Sequence, residues 1–148
     1  MKYKFLIAVM CAVIGKMSFA AAPLAEVRSS GGFVIGPRYS SGIRILDNGY
    51  VYSYSGPNTQ VIAQLSREKL QALAKHINLV PVAELKEEDP DGPRCADAPT
   101  VSYLVVQNSG NSVEIARRQN CKWSYLSNGE GYLLKEVLEG LRKLTQLK

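Results

Sequence analysis

The residues able to do chemistry are few and scattered along the chain. There is one histidine, His76, one tryptophan, Trp123, and three cysteines. A hydrolytic triad needs a nucleophile beside a base, and no G-x-S-x-G or comparable context accompanies His76. That histidine falls beside Ile77 in a helical pattern and reads as a surface or boundary residue. Asp97, two positions after Cys95, suits an Asx turn better than catalysis. Gly31-Gly32 has neither the lysine nor the following helix of a phosphate loop. Zinc needs about four ligands, which His76, Cys95 and Cys121 do not supply, so no metal and no cofactor is expected. Glu84, Glu87, Glu88, Asp89 and Asp91 crowd one stretch. Asp89-Pro90-Asp91-Gly92 lacks the alternating oxygen donors and distant Glu of a calcium loop. Residues 82–94 therefore read as a solvated connector.

Two groupings suit binding. Arg117, Arg118, Lys122, Trp123 and Tyr125 gather around Cys121, a candidate binding surface in which cations beside aromatic rings would meet an anionic surface or a partner protein. Tyr50, Tyr52 and Tyr54 alternate along a strand. Such a stripe can stack on sugars or bases, or bury its rings and keep its hydroxyls at the rim of a core.

Positioning begins with where the chain is sent. Met1–Lys4 is basic, residues 5–15 are apolar, and Ser18 and Ala20 are small. This is a secretory signal, with cleavage expected after Ala20 and Ala22 as the alternative site. The apolar run is shorter than the roughly 20 residues that span a membrane. Cys11 follows Met10, where lipid attachment would want a small residue, so a lipoprotein is not expected. Residues 1–20 carry Lys2, Lys4 and Lys16 and no acid, so the net charge falls from +5 to +2 on cleavage. A nucleic-acid partner then has little electrostatic support, and neither it nor a membrane span is expected. Only Cys95 and Cys121 survive in the mature chain, and an even pair in an exported protein reads as one disulfide. In the chain-entropy model the loop it closes is worth about 3.5 kcal/mol.

The elements repeat a plan. Asn48-Gly49 suggests a two-residue type I′ turn, which pairs Ile45 with Tyr52 and Ile43 with Tyr54. One face would then carry Ile43, Ile45, Tyr52 and Tyr54, the core side, and the other Arg44, Leu46, Val51 and Ser53. Residues 59–65 offer a third strand. Ser66 caps a helix whose Leu70, Leu73, Ala74 and Ile77 follow the 3.6 period, and Pro81 lies beyond its end. A second hairpin joins 101–108 to 112–118 around Ser109-Gly110 or Gly110-Asn111, with Leu104, Val106, Val113 and Ile115 on one face. A last helix covers about 129–147, its stripe Leu134, Val137, Leu138, Leu141 and Leu144 opposed by Lys135, Glu136, Glu139, Arg142 and Lys143. The expected architecture is α+β: an antiparallel sheet with two helices on one face, in the order ββ(β)α–ββα. The expected layout is signal 1–20, a flexible segment 21–32, and one disulfide-bonded domain over 33–148.

Cys95-Ala96-Asp97-Ala98-Pro99-Thr100, then a hairpin, Cys121 and a leucine-rich helix, resembles an uncharacterised domain family of small exported bacterial proteins. The early D-N-G turn (Asp47-Asn48-Gly49) and the Leu65-Ser66 helix start fit the same pattern, over about 33–147. Members often carry an extra cysteine pair before the first strand, where this chain has Gly36-Pro37-Arg38-Tyr39. The resemblance implies the fold and the disulfide and no activity.

The expected function is an exported, non-catalytic binding or envelope accessory protein, an inhibitor included, whose partner is a protein or envelope component. The reading leans away from an enzyme. The alternative is a small secreted hydrolase acting on cell-envelope polymers through Asp97 and scattered acids. The expected location is the periplasm or the medium. Mass spectrometry of the native protein should find a mature chain starting near Ala21; an intact Met1, or a lipid on Cys11, would refute export by this signal.

Overall fold

The computed structural model describes residues 21–31, 40–126 and 129–146. The expected signal and its cleavage site, and the Gly36-Pro37-Arg38-Tyr39 stretch, lie outside the described residues. The strands are β1 (Pro23–Ser30), β2 (Ser41–Leu46), β3 (Tyr50–Ser55), β4 (Asn58–Gln64), β5 (Lys86–Glu87), β6 (Thr100–Val106), β7 (Ser112–Gln119) and β8 (Lys122–Tyr125). The helices are α1 (Arg67–Leu79) and α2 (Gly129–Gln146). All strands join one antiparallel sheet in the order β4-β3-β2-β1-β6-β7-β8-β5. Both helices pack on one of its faces, in the expected α+β class. No helix among the described residues is long and apolar enough to cross a membrane.

The largest difference from the sequence reading is at the start. The segment 21–32, expected to be flexible, contains β1, which pairs with β2 on one side and β6 on the other. Ala25 and Val27 are buried on the helix face. With Leu24 and Val27 as its only large apolar residues, set among Ala25, Glu26, Arg28 and two serines, the strand is hidden in the sequence, and its burial comes from its neighbours rather than from its own hydrophobicity.

The second difference is register. Both hairpins turn through three residues, not two. In the first, Ile45 pairs with Val51 and Arg44 with Tyr52, and Asp47-Asn48-Gly49 makes the turn, with the Gly49 N–H donating to the Leu46 carbonyl at 2.9 Å. In the second, Val106 pairs with Ser112, and the Gly110 N–H donates to the Gln107 carbonyl at 2.8 Å. Gly49 and Gly110 both have left-handed backbone, φ +87° and +83°, as the third position of such a loop requires. One residue of slip exchanges the faces of a strand. The core side therefore carries Ile43, Ile45, Val51, Val101, Tyr103, Val105, Val113 and Ile115. Tyr52 and Tyr54, expected beside Ile43 and Ile45, lie on the opposite face, and so do Leu104 and Val106. An irregularity between Tyr103 and Leu104 restores burial to Ala116 as well as Ile115.

The helices follow their pattern closely. The Ser66 side chain accepts from the Lys69 N–H, Leu73 and Ile77 are buried, and Val80 precedes Pro81 at the stop. Gln107, in the second hairpin, donates its amide to the carbonyls of Ile77 and Val80 at 3.3 and 2.7 Å. The Ile77 carbonyl also accepts the Val80 N–H at 3.2 Å, and Val80 is the residue that ends the helix, so the turn of one half adds to the cap on the helix of the other. On α2, Leu134 and Leu138 are buried as expected, but Val137 is 43% exposed and Lys135 is buried.

Cys95 and Cys121 form the disulfide, with Cα atoms 5.6 Å apart. Cys121 follows the β6–β7 hairpin, as expected, and itself sits in the turn of the next one. Gln119 pairs with Lys122, and Asn120 and Cys121 have φ of 52° and 65°, a two-residue turn of the type I′ kind. The unanticipated β8 runs on from it, and β5 adds an edge to β8. The disulfide thus fastens the acidic connector to the β7–β8 turn. Replacing both cysteines with serine should lower unfolding free energy by about 2–4 kcal/mol in a denaturant titration while far-UV circular dichroism stays that of the parent.

Candidate functional site

The sheet has two unlike faces. One is covered by α1 and α2. The other carries Glu26 and Arg28 from β1, Arg44 from β2, and Tyr50, Tyr52 and Tyr54 from β3, and no described helix lies over it. Its centre is Glu26, which is nearly buried, with a carboxylate that accepts three hydrogen bonds. The donors are Tyr54 Oη at 2.6 Å, Arg28 Nη2 at 3.0 Å and Arg44 Nη2 at 3.1 Å.

Tyr54 reaches Glu26 by crossing a whole strand. It pairs with Gly42 on β2, and Gly42 pairs with Arg28 on β1. A Cβ at position 42 would lie 2.9 Å from the Tyr54 hydroxyl and 1.9 Å from the Val27 carbonyl oxygen. Only glycine leaves room for the ring to pass and for the backbones to approach this closely. Arg44 stacks over the Tyr54 ring at 5.4 Å, a cation–π contact that holds its planar fork along the sheet.

Electrostatics follow from this geometry. Burial by itself would raise the Glu26 pKa, but the hydrogen bonds from Tyr54, Arg28 and Arg44 outweigh it and hold the carboxyl below 4.5. Burial and the Glu26 charge push the Tyr54 phenol up to about 12, so the tyrosine stays a donor across physiological pH. A shallow cleft of about 400 Å³ opens beside this network, lined by Arg44, Leu46, Tyr52, Tyr54 and Thr59 among others. The Arg44 Nε is buried with no hydrogen-bond acceptor among the described residues.

The grouping expected around Cys121 does not converge on one surface. Arg117 projects to the uncovered face and pairs with Glu114. Lys122 also points away from the helices, and it is buried. Its Nζ donates to the carbonyls of Asp89 and Pro90 at 2.7 and 2.6 Å and pairs with Glu87 at 3.1 Å. The acidic connector therefore wraps a cation, but the cation belongs to the chain. Trp123 and Tyr125 lie on the helix face, stacked at 5.6 Å with ring planes 8° apart. Trp123 meets Tyr103 at 5.8 Å and Arg118 at 5.9 Å. The Lys135 Nζ sits 4.7 Å from the Trp123 ring and 5.8 Å from those of Tyr125 and Tyr132. Burial, and then Glu88, pushes the Tyr125 phenol up to about 12. These residues join β8 to α2 and to the connector.

His76 lies 2.6 Å from Glu130 through Nδ1, linking α1 to the start of α2. Asp97 has left-handed backbone, φ 61°, which aspartate tolerates better than most residues. Among the described residues no three His, Cys, Asp or Glu side chains group as metal ligands. Sequence reasoning missed Glu26, Arg28, Arg44 and Gly42 as site residues. Their signal was the alternation Glu26-Val27-Arg28 and Gly42-Ile43-Arg44, legible once β1 is recognised as a strand. Comparison with protein-family models, with curated proteins and with solved structures found no match.

Glu26 ties stability to pH. A lowered carboxyl pKa contributes stability that is fully present above the unfolded value of about 4.5 and is lost as pH falls toward the lower folded value. Glu26→Gln should cost about 2 kcal/mol at neutral pH and flatten the acid limb below pH 4.5 in urea titrations across pH. An unchanged acid limb would show that another carboxyl controls it.

Proposed function

We propose that this chain is an exported, non-catalytic binding protein whose partner, a protein or envelope component, docks on the uncovered face of the sheet. The observation that carries the reading is the composition of that face: Tyr50, Tyr52 and Tyr54 in line, with Arg44 locked between tyrosine and carboxylate. Tyrosine and arginine are the residues that contribute most at protein interfaces, because they give large, stiff contact area with a polar end. The Glu26 network fixes Tyr54, Arg28 and Arg44 before binding, so less ordering remains to be done on association. Blocking a target protein, as an inhibitor does, is one use of such a face.

Export is supported by the amino-terminal pattern of residues 1–20 and by the Cys95–Cys121 disulfide, which oxidising compartments favour. The resemblance carried by Cys95-Ala96-Asp97-Ala98-Pro99-Thr100 points the same way. The alternative, a hydrolase of envelope polymers, would need two acids facing one cleft. Neither the cleft at Arg44 nor the cavities on the helix side have Asp or Glu among their described lining residues, so that reading gains nothing from them.

The mature protein, immobilised and exposed to envelope extract, should retain a specific partner. Tyr52→Ala combined with Arg44→Ala should weaken retention by at least about tenfold, or 1.4 kcal/mol. Lys75→Ala, on the exposed side of α1, should not. Equal retention by all three proteins, or none by any, refutes the reading, provided their thermal melts agree.

A further inference from the structure

The two helices do not close on each other along their whole length. The end of α1 meets the start of α2 at the His76–Glu130 pair, 2.6 Å apart. From there back toward Lys69 a groove of about 450 Å³ runs between them. Leu73 and Leu134, both part of the core, line it from below. Its α2 side carries Leu133 and Val137, which are 46% and 43% exposed. Packed helices ordinarily bury such residues in each other's grooves. Here Ala72 on α1 and Gly140 on α2 line the gap, and both are too small to fill it. Gly140 has no left-handed backbone, and a Cβ there would meet nothing within 4 Å. Neither backbone nor packing requires glycine at this position, and glycine inside a helix is less stable than alanine. What the missing side chain does is leave the groove open.

The groove has ends of unlike charge. No Asp or Glu is among its described lining residues. At one end Glu130 stands beside His76. Toward the other end is Lys69. Its backbone N–H serves the Ser66 cap, but its ammonium makes no ion pair or hydrogen bond among the described residues. A lysine at such a rim lays its stem along apolar surface and keeps its head in water. The seven residues from Lys69 to His76 span about 10 Å of helix. An apolar channel of that length therefore runs from an uncommitted cation to a carboxylate.

We propose that this groove binds a single medium-chain fatty acid, with its carboxylate at Lys69 and its alkyl tail lying toward His76. The volume is within the range of about 300–1,000 Å³ common for small-molecule sites. Lys69 favours an anionic head at its own end, and Glu130 disfavours one at the other. A polar ligand would leave its groups unpaired against Leu133, Leu134 and Val137. A second copy of this chain seated groove to groove would cover those side chains, but it would bring no lining acid to meet Lys69. The groove lies on the helix side of the sheet, away from the proposed docking face, and does not depend on that reading.

Nuclear magnetic resonance titration of the labelled mature protein at neutral pH can test this with decanoate, kept below its micelle concentration, and with decylammonium as the charge-reversed analogue. Decanoate should produce saturable shifts in the backbone amides of Ala72, His76, Val137 and Gly140. It should bind at least about fivefold more tightly than decylammonium, as a half-solvated ion pair allows. Lys69→Glu, on an exposed first turn that tolerates an acid, should reverse that preference. Gly140→Leu, which meets no atom on the helix it joins, should weaken both ligands at least about tenfold while the thermal melt stays that of the parent or rises. The proposal is overturned if decanoate gives no saturable shifts, if decylammonium matches it, or if Lys69→Glu leaves the preference unchanged. It is equally overturned if Gly140→Leu binds as the parent does, or if the shifts map to Tyr52 and Arg44. Shifts of the groove amides on dilution without ligand would assign the groove to a second copy and overturn it too.

Discussion

β1 hydrogen-bonds to β2 along one edge and to β6 along the other, and among the described strands its pairing with β6 is where the four that precede α1 join the four that follow it. Each half alone is a short meander with one apolar face and one helix, too small to bury much surface. Joining them makes one continuous core, in which Val27 from β1 lies between Ile43 and Tyr103. The same strand places Glu26 on the other face, where Arg28, Arg44 and Tyr54 close on it. The core and the candidate docking face are thus two sides of consecutive residues. Gln107 reaching across to the end of α1 makes the connection between halves mutual.

Much of this was legible. The two hairpins, both helices, the Ser66 cap, the Leu73 and Ile77 stripe and the disulfide all follow from local spacing. The faces of β3 and β6 did not. Asn48-Gly49 can serve as the two central residues of a tight turn, or as the last two of a three-residue turn in which only glycine need be left-handed. Local sequence does not separate these cases. What separates them is the apolar set: Ile43, Ile45 and Val51 fall on one side only in the longer turn, at the expense of treating three tyrosines as surface. β1 escaped notice because its hydrophobic content is low and its burial is borrowed from β2, β6 and α2.

The basic and aromatic residues near Cys121 show a different limit. Their clustering in sequence was real, but alternation along β8 sends Lys122 to one side of the sheet and Trp123 and Tyr125 to the other. Each then finds a partner far away in the chain: the carbonyls of Asp89 and Pro90 for Lys122, and the ammonium of Lys135 for the two rings. A buried lysine needs its charge satisfied within the protein, and both lysines are. No pattern of neighbours in the sequence announces such pairings, because the partners lie on other elements. A cluster that reads as a recognition surface can equally be the internal fastening of an edge strand, and here the second description fits the distances.

Strand β3 carries two chemistries in alternation. Tyr50, Tyr52 and Tyr54 face outward with the arginines, while Val51, Ser53 and Ser55 face the helix side. Which residues fall on which side is decided at the turn before the strand. Gly49 takes left-handed backbone, its N–H bonds back to the Leu46 carbonyl, and the Leu65 N–H donates to the Gly49 carbonyl at 2.9 Å, tying the turn to the residue just ahead of the Ser66 cap. A Cβ at position 49 would stand 3.0 Å from the Leu65 carbonyl oxygen. A β-branched or bulky residue there meets both an unfavourable φ and this contact. Relieving them by shortening the turn to two residues would slip β3 by one. That slip would bring Tyr52 and Tyr54 against Ile43 and Ile45, send Val51 into solvent, and break the reach of Tyr54 over Gly42 to Glu26. The register of one turn therefore determines the core and the uncovered face together.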